Sequence, residues 1–258
     1  MKRKIIYYKD ELLDDFANVT RNTIKIDENY KYVHKNLLWK FFEFVVYRIF
    51  IVPFALVYMK VKFRHKVINK KVLKMAKGRG YVMFGNHTLM AGDAFIPNLI
   101  NLPRKTYTVV HPDNVSVSAT RQIIEMCGAL PLPDTLTATK NFFDAMKHRI
   151  SKKGVIQIYP EAHVWPYYTK IRPFGSSSFK YPIKLDVPAF VLTNVFVKKK
   201  FSRVPKVLTF VDGPFVVDKS IPPKEQEKAL RDIVYEVMCE RVKNSTYEVF
   251  EYKKEVNE

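Results

Sequence analysis

Cysteine, glycine and long clean apolar runs are all scarce in this 258-residue chain. The two cysteines, Cys127 and Cys239, lie far apart without metal-ligand spacing. That excludes a disulfide scaffold and a zinc ribbon and suits a reducing compartment. Eight glycines exclude a collagen-like or flexible-linker protein. No side-chain cluster has metal-ligand spacing, so no metal or cofactor is expected. There is no internal repeat, low-complexity tract or long linker. What is present, 47% apolar residues over a length that fits one domain, excludes a disordered chain.

Negative charge is scarce too: 25 Asp plus Glu face 44 Lys plus Arg, a formal charge of +19. Such an excess needs an anionic partner, whether nucleic acid, an anionic membrane surface, or acidic substrates and carrier proteins. The location of the charge has to choose among them. Met1-Lys2-Arg3-Lys4 opens like a signal peptide but runs into Asp10, Glu11, Asp14 and Asp15 with no apolar stretch of signal length. It is read as mature sequence on the cytosolic side.

Leu37 to Met59 is rich in Phe, Val, Leu and Ile, yet it contains Lys40, Glu43 and Arg48, and its longest uncharged run, Ile49 to Met59, is 11 residues. A spanning helix needs about 18 to 20 clean apolar residues. On a helical wheel Asn36, Lys40, Glu43 and Tyr47 share one face, and Trp39, Phe41, Phe42, Phe44, Val45, Ile49 and Val52 cover most of the rest. Pro53 is expected to break or kink the helix, leaving Phe54 to Met59 as a second short piece. The pattern predicts an interfacial helix or re-entrant pair lying in one leaflet, with a soluble core helix as the alternative. The flanks favour the membrane. No acidic residue occurs between Glu43 and Asp93, and nine Lys or Arg fall at positions 60, 62, 64, 66, 70, 71, 74, 77 and 79. An aromatic apolar segment followed by a purely basic run suits an anionic lipid surface.

From residue 80 onward short apolar runs alternate with helical patterns. Strands are predicted at Tyr81 to Phe84, Tyr107 to Val110, Val155 to Tyr159, Val187 to Val197 and Val207 to Val217, the last interrupted by Asp212-Gly213-Pro214. Helices are predicted over Val115 to Met126, stopped by Gly128, and over Thr135 to Lys152, capped by Asp134 and ended by Gly154. A third opens at Pro222-Pro223 and runs to about Lys243. The alternation predicts an α/β fold with a mostly parallel central sheet flanked by helices.

Two polar clusters follow strands directly. Gly85-Asn86-His87-Thr88-Leu89-Met90-Ala91-Gly92-Asp93 places a His and an Asp at a strand-to-helix turn, where the carboxylate can hold one ring nitrogen and leave the other as a base. Tyr159-Pro160-Glu161-Ala162-His163 follows another strand. Sites in α/β sheets gather outside the carboxyl ends of strands.

Taken in order, these segments resemble the 1-acyl-glycerol-3-phosphate acyltransferase family of glycerophospholipid acyltransferases, from about residue 60 to 217. Asn86, His87 and Asp93 resemble motif one, N-H-x-x-x-x-D. Gly128 to Asp134 falls where motif two is expected, Tyr159-Pro160-Glu161 resembles the F-P-E core of motif three, and Val187 to Val191 resembles motif four. Three departures stand out. Five residues separate His87 from Asp93 where the family has four, and Gly92 is expected to absorb the extra one in a bulge. Motif two lacks its Arg. Ala162-His163-Val164 replaces Gly-Thr-Arg, which leaves Lys170 and Arg172 as the nearest cations by position.

The resemblance implies acyl transfer from acyl-CoA or an acyl carrier protein to the hydroxyl of 1-acyl-glycerol-3-phosphate, giving phosphatidate. His87 would be the base and Asp93 its orienting partner. Asn86, Glu161, Lys170 and Arg172 would bind substrate, the last two through a phosphate. Residues 1–59 would form the N-terminal region with its interfacial anchor, and residues 60–258 the α/β acyltransferase domain. The protein is expected at the cell membrane, peripheral or monotopic, on the cytoplasmic face, with an anionic membrane surface and a lysophospholipid as partners and no nucleic acid. The alternatives are another acceptor, such as glycerol 3-phosphate or another lysolipid, and a non-catalytic basic module binding lipid or nucleic acid. Plainer readings also stand: Glu161 satisfying backbone donors, His111 and His163 as surface residues, Trp165 to Tyr168 as a packing or membrane rim, and Cys127 as buried and inert. Ser176 to Ser178 do not form a G-x-S-x-G elbow, so a serine hydrolase is not expected.

Overall fold

A computed structural model describes residues 4–16 and 24–255; the basic opening at Met1 to Arg3 lies outside them. In chain order the elements begin with strand β1 (Lys4–Tyr8) and a long helix over Leu37–Phe63. That helix consists of α1 (Leu37–Phe44), a π-helical stretch (Val45–Ile51) and α2 (Val52–Phe63). Then come β2 (Lys66–Ile68), β3 (Tyr81–Gly85), α3 (Met90–Asn101), β4 (Thr106–Val110), α4 (Ser118–Met126) and β5 (Ala129–Pro131). The chain continues through α5 (Leu136–Ser151), β6 (Val155–Ile158), α6 (Lys180–Lys184), β7 (Ala189–Val197), β8 (Lys206–Phe215), α7 (Pro223–Val242) and β9 (Phe250–Lys254).

Seven strands form the central sheet in the order β2-β8-β7-β3-β6-β4-β5. Every pairing is parallel except β7 with β8. The period-2 alternation of strand side chains splits the interior into two layers. Val82 and Phe84 of β3 face α5 and α7, in a core with Phe142, Met146, Val234 and Met238. Tyr81 and Met83 face α2 and α3, in a core with Met59, Phe63, Ile96 and Ile100. The fold is therefore the α/β sheet with covered faces that the alternation predicts.

Several expectations need correction. Pro53 does not break the helix, which runs on to Phe63. The preceding turns widen to the π form, and the Val52 N–H donates to the Tyr47 carbonyl five residues back. The ladder thus changes register just before the residue that has no N–H to give and whose ring would crowd the carbonyl four residues back. Thr135, not Asp134, caps α5 by accepting from the Ala138 N–H, while Asp134 accepts from the Ile26 N–H. Lys153, with φ 62°, takes the left-handed position after α5 in place of Gly154. Asp212-Gly213-Pro214 does not interrupt β8; the strand carries them through a register shift opposite Ala189 and Val191. A small second sheet, β1 paired parallel with β9, had no clear sequence signal.

The long helix buries Val52, Ala55, Met59 and Phe63 but also turns polar groups inward. Glu43 bonds the Lys105 ammonium, and the Tyr47 hydroxyl donates to Asn98 of α3, while Asn36 and Lys40 stay exposed. Leu37, Leu38, Phe41, Phe42, Phe44, Ile49, Phe50, Phe54, Leu56, Val57 and Val61 are exposed. By length and composition it could cross a membrane, and only 22% of its most apolar window is buried. All nine basic residues of the following run are exposed, and none forms an ion pair among the described residues.

Candidate active site

Strand β3 ends at Gly85 in a crowded place. A Cβ there would lie 2.8 Å from Leu192 Cδ1 and 2.9 Å from both Gln157 and Tyr159, so glycine lets neighbouring side chains close over the strand end. β7 runs on past β3, and Asn86 continues the ladder with its side chain. Its amide donates to the Asn194 carbonyl at 3.0 Å and accepts from the Asn194 N–H at 2.8 Å. The main chain is thereby released to turn, and His87 is the first residue it presents.

His87 Nδ1 lies 2.8 Å from Asp93 Oδ2, so the longer spacing still brings the pair together. The extra residue is not absorbed at Gly92. Gly92 is helical, and the slack is taken by extended backbone before α3, where Leu89 has φ −134° and ψ 90°. Gly92 serves close packing instead, because a Cβ there would sit 2.9 Å from the Leu89 Cβ. The Leu89 N–H donates to Asp93 Oδ2 at 2.8 Å, which locks the carboxylate into the turn. Asn194 Nδ2 donates to the other oxygen at 3.2 Å. Burial raises the Asp93 pKa, opposed chiefly by the bond from His87.

Two loops hold the histidine. The Tyr159 ring stacks on it at 4.4 Å between centroids, and the Tyr159 hydroxyl donates to the Asp93 carbonyl. Glu161 Oε2 accepts the His87 backbone N–H at 2.7 Å, and Oε1 accepts the Arg172 backbone N–H at 2.9 Å. The His87 ring keeps 19% of its surface exposed, and Nε2 makes no hydrogen bond among the described residues. A neutral imidazole with Nδ1–H pointed at a carboxylate presents an unprotonated Nε2, the arrangement of a general base.

His87, Asp93, Asn86 and Glu161 therefore converge. The side chains of Asn86 and Glu161, both expected to bind substrate, are taken up by backbone partners. Arg172 is enclosed as well. It is 1% exposed, its guanidinium donates to the carbonyls of Glu11 and His163, and it lies 3.9 Å from Glu161. Two charges enclosed this way hold loops together. Lys170 is exposed in a surface cleft against Cys239, Val242 and Lys243 of α7. Motif four, Val187 to Val191, leads into the amino end of β7, with Ala189 opposite Val82 and Val191 opposite Phe84. Trp165 is fully buried in a packing cluster with Tyr8, Phe16, Tyr168 and Tyr252, while Pro166, Tyr167 and Tyr168 are half-buried.

Asn194 and Tyr159 contact the His87–Asp93 pair, and neither is among the site residues expected from the motifs. For Asn194 the signal was present: an amide inside the strand Ala189–Val197, apolar but for Asn194 and Thr193, requires buried partners.

No family model matches the sequence, and no curated protein matches it. Among solved structures, the chain is similar to the crystal structure of the 1-acyl-sn-glycerophosphate (LPA) acyltransferase PlsC from Thermotoga maritima. The two share 16% identity over 83% of this chain and 98% of that one, with a TM-score of 0.48.

Proposed function

We propose that this chain is an acyltransferase that moves an acyl group from a thioester donor, acyl-CoA or acyl carrier protein, to the hydroxyl of 1-acyl-glycerol-3-phosphate. The observation that carries this reading is the His87–Asp93 dyad, with Nε2 unbonded, at the head of α3. The same α3 packs against the outward-facing apolar helix through Phe54, Tyr58 and Phe95.

A thioester is already activated, so no enzyme nucleophile is required. His87 Nε2 removes the acceptor hydroxyl proton as the oxygen attacks the thioester carbonyl. Asp93 stabilises the imidazolium that forms. The tetrahedral adduct collapses by breaking the C–S bond, and His87 returns the proton to the departing sulfur. General-base assistance of this kind contributes about 10²–10⁴ in rate. The exposed apolar face and the unpaired basic run support docking on an anionic leaflet, where a lipid acceptor reaches the dyad without leaving the membrane. The cytoplasmic face of the cell membrane is the corresponding location.

The enclosure of Arg172 favours a second reading of the acceptor: the same reaction on glycerol 3-phosphate or another lysolipid, its headgroup met by cations outside the family positions. The test is phosphatidate formation from lysophosphatidate and acyl-CoA in anionic liposomes, wild type beside His87→Ala. Product that disappears in a folded His87→Ala protein supports the reaction and the base; product that survives rejects His87. If neither forms product, a panel of hydroxyl acceptors and a carrier-protein donor decides between another acceptor and a non-catalytic basic module.

A further inference from the structure

Behind Asp93, on the side away from His87, a line of polar side chains runs from buried Asn194 of β7 and Thr209 of β8 to half-buried His65, just before β2. Asn194 of β7 is directly opposite Thr209 of β8, and Val67 of β2 is opposite Thr209 on its other side. Asn194 Nδ2 reaches Asp93 Oδ1 at 3.2 Å, Thr209 Oγ1 meets Asn194 Oδ1 at 2.6 Å, and His65 Nε2 meets Thr209 Oγ1 at 2.8 Å. Thr209 is 0% exposed and Asn194 1%, so water does not complete these bonds from outside.

We propose that His65, Thr209 and Asn194 form a one-way donor relay that positions Asp93, and through it the base His87. The inference deepens the acyltransferase reading and rests on it for its kinetic consequence. Its direction follows from donor and acceptor arithmetic. An ionised carboxylate only accepts, so the Asn194 NH₂ must face Asp93. The Asn194 oxygen then faces Thr209, whose single hydroxyl proton is spent on it. The Thr209 oxygen is left as an acceptor toward His65, which must carry its proton on Nε2. Burial supports a neutral ring there by pushing the His65 pKa down to about 4. At the other end the carboxylate accepts a hydrogen bond from the Nδ1–H of His87. The two histidines are therefore held in opposite tautomers, His65 as Nε2–H and His87 as Nδ1–H. Asn86 keeps Asn194 in place by bonding its backbone on both sides.

These are positioning residues, and their test needs a signal other than activity. In the full chain labelled with ¹⁵N-histidine, long-range proton–nitrogen spectra at pH 7, with His65→Gln and His87→Ala spectra for assignment, are expected to show the two tautomers just named. His65 as Nδ1–H overturns the relay whether or not the protein transfers acyl groups. Kinetically, Thr209→Val keeps the shape and removes the hydroxyl. It is expected to lower kcat about tenfold with KM little changed, and Thr209→Ser to recover most of the loss. Equal loss in Thr209→Val and Thr209→Ser also overturns it. If the wild type transfers no acyl group, the acyltransferase reading fails and the tautomers alone decide the relay.

Discussion

The ring of Tyr159 lies over that of His87, 4.4 Å between centroids and 15° from parallel, and its hydroxyl donates to the backbone carbonyl of Asp93. One side chain thus braces both members of the dyad. Tyr159→Phe keeps the stack and loses one hydrogen bond, so kcat is expected to fall by less than about tenfold. Tyr159→Leu loses the aromatic contact too, worth about 0.5–1.5 kcal/mol beyond its area, and is expected to fall further. Equal kcat in the two variants would show that the stack does not hold the base.

Asp93→Asn replaces an oxygen that accepts from both His87 Nδ1 and Leu89 N–H. An amide offers one accepting oxygen where the carboxylate offers two, so one of its three donors loses its partner. The expected outcome is a drop of about 10²–10⁴ in kcat with circular dichroism unchanged. Retained activity would remove Asp93 from the mechanism.

Arg172 supplies a contrast between holding and binding. Arg172→Met strands the Glu161 carboxylate in a buried place and is expected to cost about 3–5 kcal/mol, read from the urea midpoint. An unchanged midpoint with a raised acceptor KM would return Arg172 to phosphate binding.

His65 makes stability depend on pH. Its folded pKa of about 4 lies below the ordinary value of about 6.5. Between those values the unfolded chain binds the extra proton, so stability is full above pH ~6.5 and declines as the pH falls toward ~4. The decline is at most about 3 kcal/mol. His65→Gln is expected to flatten the difference between urea midpoints at pH 7 and pH 5. The same slope in both proteins would show that another group is responsible.

The exposed phenylalanines make the membrane reading measurable. Phe41→Ser with Phe50→Ser is expected to weaken binding to anionic vesicles without shifting Tm, because neither side chain is buried in the chain itself. Binding is also expected to fall with salt, since each basic residue near the surface adds about 1 kcal/mol that ions screen. Salt-independent binding would exclude the basic run as the contact.

Much of this was legible in the sequence. Periodicity located β3, β4, β6, β7 and β8 because buried strands are nearly unbroken apolar runs, and α5 and α7 because each has one apolar face, but it passed over α3 and the three-residue strands β2 and β5. His87 and Asp93 were legible because they follow a strand at a turn. The enclosure of Arg172 and Glu161 was not, because a charged side chain looks the same in sequence whether it faces solvent or is enclosed. β1 and β9 were missed because Lys4–Tyr8 and Phe250–Lys254 are short and partly polar, and their pairing depends on a contact no local pattern records. Pro53 misled because local rules allow for an α-ladder and not for a π-turn ahead of it.

The β1–β9 pair also bears on when the site is finished. β1 leaves the ribosome early and β9 late, so their pairing closes the longest loop in the fold and is penalised accordingly in rate. The segment after β1 supplies the Glu11 carbonyl to Arg172 and the Asp14 carbonyl to the Trp165 indole, and Tyr252 of β9 stacks on that indole. Arg172 braces Glu161, which holds the backbone of His87. A nascent chain with its sheet already assembled still lacks this clasp, so the base gains its full support only after synthesis has passed residue 254.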